Sequence, residues 1–268
     1  MALVVGGAAQ VPGALLLAGV AALRVGAGKL QLAAPQSAAT QLGVALPEAR
    51  VFGLHESRGG FLDGRSAGRV GDCARNADAI LIGPGMLDED AALGFIDEAL
   101  PNLDDKELVI DAVALSAFKD GRHRFAEEKR VVLTPNQSEM ARVTGDKPAT
   151  IEADPLGAAA RVAKDLNVVI ALKGPQTFIA TPYGEAFRYA EGDVGLATSG
   201  SGDVLAGALV GLLARGATPD QAAVWATYLH GAAGNRLARK IGPVGFLARE
   251  LSGELPGLMN GLAGKRGR

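Results

Sequence analysis

The chain has 268 residues, 48% of them hydrophobic and 21% charged, with a net charge of −2. That supplies a sizeable core and leaves too little positive charge for a nucleic-acid surface, so no nucleic-acid partner is expected. The single cysteine, Cys73, has no internal disulfide partner and reads as a small, partly buried hydrophobe.

The opening "MALVVGGAAQVPGALLLAGVAAL" is apolar, but it has no basic start, and Gly6, Gly7, Pro12 and Gly13 interrupt any spanning helix. A buried strand, a glycine turn and a helix are expected, in a soluble cytoplasmic protein with no membrane partner. Short β-branched runs then recur: "KLQLAAP", "DAILIGPG", "ELVIDA", "RVVLTPN" and "VVIALKG". Apolar strands without alternation suit a parallel sheet covered on both faces. Helical patterning lies between several of them, in "DAALGFIDEAL", "SEMARVTG" and "DPLGAAARVAKDLN". The segment from Gly53 to Gly71 is expected to be an irregular surface loop. Beyond Lys173, "QTFIATPYGEAFRYA" reads as a hairpin turning at Pro182-Tyr183-Gly184. Helices over roughly 203–215, 219–238 and 245–255 close the chain. The fold expected is α/β: one domain over 1–268, a three-layer αβα sandwich with a mostly parallel sheet and an antiparallel edge hairpin.

The densest chemical signal is "TSGSGDVLAG". Its glycines let successive N–H groups converge on one point, and Asp203 falls in the first turn of a helix whose positive dipole end favours an anion. The pattern makes a cradle for a phosphoryl group with Asp203 as a base on the alcohol that receives it. A plain helix cap would need one Asp or Ser, without the Gly-Ser-Gly frame.

Other candidates fall at strand ends, where an open α/β sheet builds its ligand crevice. Lys173 ends a buried strand and can meet nucleotide phosphates, with Gly174 and Thr177 beside it. Gly83, Gly85 and Asp111 end two more strands; each also has a plain structural reading, as a turn or a cap. In "LTPNQSEMARVTG", Asn136 or Ser138 can cap a helix and Glu139 serves its first turn; holding a hydrated magnesium ion is the alternative role for Glu139. The histidines His55, His123 and His230 have no metal-ligand spacing, so no protein-held metal is assigned. Trp225 and Tyr228 read as core or subunit interface.

Taken in this order, the blocks "ILIGPGM", "VIDAVAL", "LTPNQSEMARVTG", "ALKGPQTFIA", "TSGSGDVLAGALVGLLARG" and "YLHGAAG" resemble the NAD(P)H-hydrate dehydratase family, with its ribokinase-like fold, over nearly the whole chain. The resemblance implies a repair reaction. ADP or ATP, with magnesium, phosphorylates the ring hydroxyl of the S-form of hydrated NADH or NADPH, and loss of phosphate restores the reduced cofactor. Asp203 would be the base and a substrate contact. Lys173, Gly174, Pro175, Gln176, Thr177 and Gly202 would hold the adenine nucleotide, while Ala22, Gly85 and Asn136 would line the hydrate pocket. Asn136 stands where the family usually has histidine, and an amide does not titrate near neutral pH. The resemblance further implies a homotetramer, for which the small-residue opening and terminal helices are the candidate contacts. It also implies a functional partner, an NAD(P)H-hydrate epimerase, whose domain is expected to be absent here. Two other readings stay open: a small-molecule kinase releasing a stable phosphoester, and an inactive nucleotide-binding sensor or scaffold.

Overall fold

The computed structural model describes residues 1–103, 105–126 and 130–263. Strand β1 (Ala2–Val5) leads through helix α1 (Gly13–Arg24) to β2 (Leu30–Pro35), and α2 (Gln36–Ala45) leads on to β3 (Ala49–Leu54). After α3 (Ala67–Ala74) the chain returns to the other side of β1 as β4 (Ala79–Ile82). Helix α4 (Glu89–Ala99), β5 (Glu107–Ile110), a 3-10 segment (Ala112–Gly121) and β6 (Val131–Leu133) follow. Helices α5 (Gln137–Thr144), α6 (Pro148–Ala153) and α7 (Pro155–Leu166) precede β7 (Val169–Leu172), β8 (Thr177–Ala180) and β9 (Ala186–Tyr189). Helices α8 (Ser201–Leu213), α9 (Pro219–Ile241) and α10 (Ala248–Ala263) finish the fold.

The sheet order is β3-β2-β1-β4-β5-β6-β7-β8-β9, parallel through β7 and antiparallel from there to β9. Alternate strand residues feed two apolar cores. Leu3, Ile80, Leu108 and Ile170 pack under α3, α4, α5 and α7. Val4, Leu81, Val109 and Ala171 pack under α1, α8, α9 and α10. Because both faces of the parallel strands are covered, their sequences show no hydrophobic alternation. The three-layer sandwich with its edge hairpin is the architecture expected above.

One expectation needs correction. The stretch from Gly53 to Gly71 is not one irregular loop: Gly53 lies within β3, the 3-10 turn Gly64–Ser66 and helix α3 follow, and only residues 55–63 lack regular elements. Helix α3 forms because Val70, Cys73 and Ala74 bury against the first core, which outweighs its two glycines. Much of the opening is enclosed within the chain. Ala2–Val5 is fully buried mid-sheet, and α1 gives its small residues to α8. Gly207 of α8 has no room for a side chain, since a Cβ there would strike the Ala18 carbonyl; this lets the two helix backbones touch. Among the described residues, no helix is long and apolar enough to cross a membrane.

Candidate active site

The C-terminal ends of β5, β6 and β7 converge under the start of α8, and a cleft of about 850 Å³ opens there. Asp111 follows β5 and is 2% exposed. Its Oδ1 accepts hydrogen bonds from Lys173 Nζ at 2.7 Å and from Thr134 Oγ1 at 2.7 Å. Lys173 follows β7, tied down by its backbone N–H donating to the Pro135 carbonyl at 2.7 Å. Its Nζ also lies 3.8 Å from Glu139 Oε2. Burial works against the lysine charge, but the carboxylates of Asp111 and Glu139 outweigh it, and the net effect holds Lys173 above the usual lysine range.

Gly200 caps α8 in the left-handed region, with φ 84°, which costs glycine nothing and most residues a great deal. The Ser201 amide donates to the Thr198 carbonyl at 3.2 Å. The amides of Gly202 and Asp203 are first-turn donors with no acceptor inside the helix. They face the same cleft as Lys173, so two N–H groups, the helix dipole and a cation surround one space. Such an arrangement can receive an anion.

Asp203 stands beside it in the first turn of α8. Burial, then repulsion from Asp111, pushes its carboxyl up to about 7, with Lys173 pulling the other way. A carboxylate near neutrality is a competent acceptor of a hydroxyl proton at physiological pH.

Of the residues expected at the site, Asp203, Lys173, Gly174, Pro175, Thr177, Gly202 and Asn136 all line this cleft. Gln176 is exposed on the same β7–β8 link but is not among the lining residues. Gly85 sits on the loop after β4, packed on Gly7 and Val11 of the neighbouring β1 loop, where the strand order reverses. Ala22 is not among the residues lining this cleft. It is 0% exposed and its backbone faces Gly211 of α8, so it has no surface to offer a ligand. Asn136 and Glu139 form a reciprocal cap: Asn136 Oδ1 accepts from the Glu139 amide at 2.9 Å, and Glu139 Oε2 accepts from the Asn136 amide at 2.7 Å. The capping role expected of Glu139 is present, with its carboxylate also on the cleft.

Sequence reasoning gave no site role to three residues at or beside the cleft. Thr134 holds Asp111, Ser201 begins α8, and His230 of α9 reaches Ser201. The Gly-Ser-Gly frame around Ser201 and the strand end at Thr134 were the signals that hinted at two of them. Trp225 and Tyr228 are not core, at 46% and 37% exposed; they stack edge-on with each other, and Tyr228 does so with Tyr189 on the cleft wall.

The family model described as NAD(P)H-hydrate dehydratase matches residues 2–257. The chain belongs to the NAD(P)H-hydrate dehydratase family. It is 45% identical to the ADP-dependent (S)-NAD(P)H-hydrate dehydratase of Xanthomonas campestris, over 97% of this chain and 88% of that one. It is 37% identical to the bifunctional NAD(P)H-hydrate repair enzyme of Moorella thermoacetica, of whose length it spans about half, 49%. Among solved structures, the ADP/ATP-dependent NAD(P)H-hydrate dehydratase of Bacillus subtilis, co-crystallized with ATP and Mg2+, superimposes with a TM-score of 0.81. The identity is 31%, over 97% of this chain and 88% of that one.

Proposed function

We propose that the protein is an ADP-dependent dehydratase of the S-form of hydrated NADH or NADPH, with ATP as the alternative phosphoryl donor. The observation that carries this reading is Asp203, neutral-poised and flanked by the Gly202 and Asp203 amides and by Lys173. Asp203 takes the proton of the ring hydroxyl as that oxygen attacks the terminal phosphorus, and the shortened nucleotide leaves. The new phosphoester is a good leaving group; its loss, with loss of a neighbouring ring proton to solvent, restores the double bond. The amides hold the negative oxygens as charge shifts across the transferred group. Lys173, Gly174, Pro175, Gln176, Thr177 and Gly202 are assigned to the nucleotide, and Gly85, Asn136 and Asp203 to the hydrate.

Magnesium suits the donors present. Asp111 is already engaged by Lys173 and Thr134, whereas Glu139 contacts the Asn136 amide through Oε2. Among the described residues no three His, Cys, Asp or Glu side chains are set to hold a metal. Magnesium would therefore be held by Glu139 together with phosphate oxygens and water, and there it would neutralise phosphate charge.

The test is incubation of the protein with hydrated NADH or NADPH, magnesium and either nucleotide. Recovery of the absorbance of the reduced cofactor, with release of inorganic phosphate, is expected; no recovery with either nucleotide refutes the reading. A stable phosphoester instead of free phosphate would make the protein a small-molecule kinase. Assembly as a homotetramer in the cytoplasm, working with an NAD(P)H-hydrate epimerase, is the accompanying proposal. It is supported by the family and by exposed apolar side chains at Val194, Trp225, Ile241, Val244 and Leu247. Light scattering giving a monomer at micromolar concentration would overturn the tetramer.

A further inference from the structure

His230 does not enter the chemistry above, yet it is the histidine nearest to it. It lines the cleft from α9, with Nε2 2.8 Å from Ser201 Oγ and 3.0 Å from the Ser201 carbonyl oxygen. A carbonyl only accepts, so the contact at 3.0 Å requires a hydrogen on Nε2 and leaves Nδ1 bare. That same N–H faces Ser201 Oγ, which therefore accepts as well. The hydroxyl's single hydrogen must turn elsewhere. Among the described residues no second partner lies within hydrogen-bond distance of Ser201 Oγ, and the residue is 4% exposed on the cleft wall, next to Gly202 and Asp203. Burial, partly offset by the contact with Ser201, holds His230 down to about 4, so the ring is neutral at physiological pH and its one hydrogen stays on Nε2.

We propose that His230 is a positioning residue whose Nε2–H turns the Ser201 hydroxyl into the cleft, as a third donor to the transferred phosphoryl group beside the Gly202 and Asp203 amides. The proposal rests on the phosphoryl-transfer reading, and it explains why a partly buried imidazole touches the first residue of α8 twice. A donor aimed at developing charge acts in the transition state, so its loss lowers kcat by ~10² while KM for the nucleotide moves little.

Two measurements test this. At neutral pH, nitrogen-15 spectra of the wild-type imidazoles, with His230→Gln used to assign the His230 signals, should show Nε2 protonated and Nδ1 bare; the opposite tautomer overturns the proposal without reference to turnover. In the repair assay, Ser201→Ala and His230→Phe should each lower kcat by ~10², and the double variant should fall no further. His230→Gln, which keeps an N–H in reach, should regain most of the loss. A Ser201→Ala variant within twofold of wild type, or additive losses in the double variant, would overturn the idea even where His230→Phe fails to fold. Wild-type protein that never restores the cofactor refutes the functional reading instead, and the tautomer then decides this proposal alone.

Discussion

Replacing Asp203 by Asn separates what the fold tolerates from what the reaction needs. The side chain keeps its size and loses its charge. Its carboxyl is raised from 3.8 to about 7, first by burial and then by Asp111. A raised carboxyl means that the native state binds a proton the unfolded chain has released, so stability is lost as pH rises from about 4 through 7. At ~1.4 kcal/mol per pH unit, keeping the ionised group in the fold at pH 8 costs at most ~4 kcal/mol, and its contact with cleft water reduces this to ~2 kcal/mol. Asp203→Asn should therefore be more stable than wild type at pH 8, by about 4 °C in Tm, with the advantage shrinking towards pH 5. Activity should move the other way, with kcat reduced by ~10³ as the proton acceptor is lost. In the wild type, kcat/KM should fall below pH 7 as Asp203 protonates. Thermal melts at pH 5, 6.5 and 8, paired with initial rates, measure both effects. A pH-independent stability difference, or an Asn variant within tenfold of wild-type rate, would refute the argument.

Other substitutions probe the supports of the site. Lys173→Met leaves Asp111 buried against Thr134 alone and should cost ~3 kcal/mol in chemical denaturation, most of it recovered by adding Asp111→Asn. Asn136→His removes a favoured cap from α5; stability should drop by ~1 kcal/mol, with kcat altered less than tenfold because Asp203 carries the proton. Gly207→Ala forces a methyl into the Ala18 backbone and should lower stability by ~3 kcal/mol, seen as a lower Tm.

The sequence by itself determined the βα alternation, the hairpin around Gly184 and the Gly-Ser-Gly-Asp turn, since each rests on local periodicity or on backbone freedom within a few residues. It was silent on β3, whose residues are mostly half-exposed, and on α3, which burial holds helical despite Gly68 and Gly71. It assigned Ala22 to the substrate by resemblance, and only the packing of α1 on α8 reveals that this position is buried. The charges of the site were decided by the tertiary structure. Lys173 meets Asp111 across 62 residues, and His230 meets Ser201 across 29. Linear spacing does not encode such meetings, and the lifted carboxyl of Asp203 follows from the water that the assembled layers exclude.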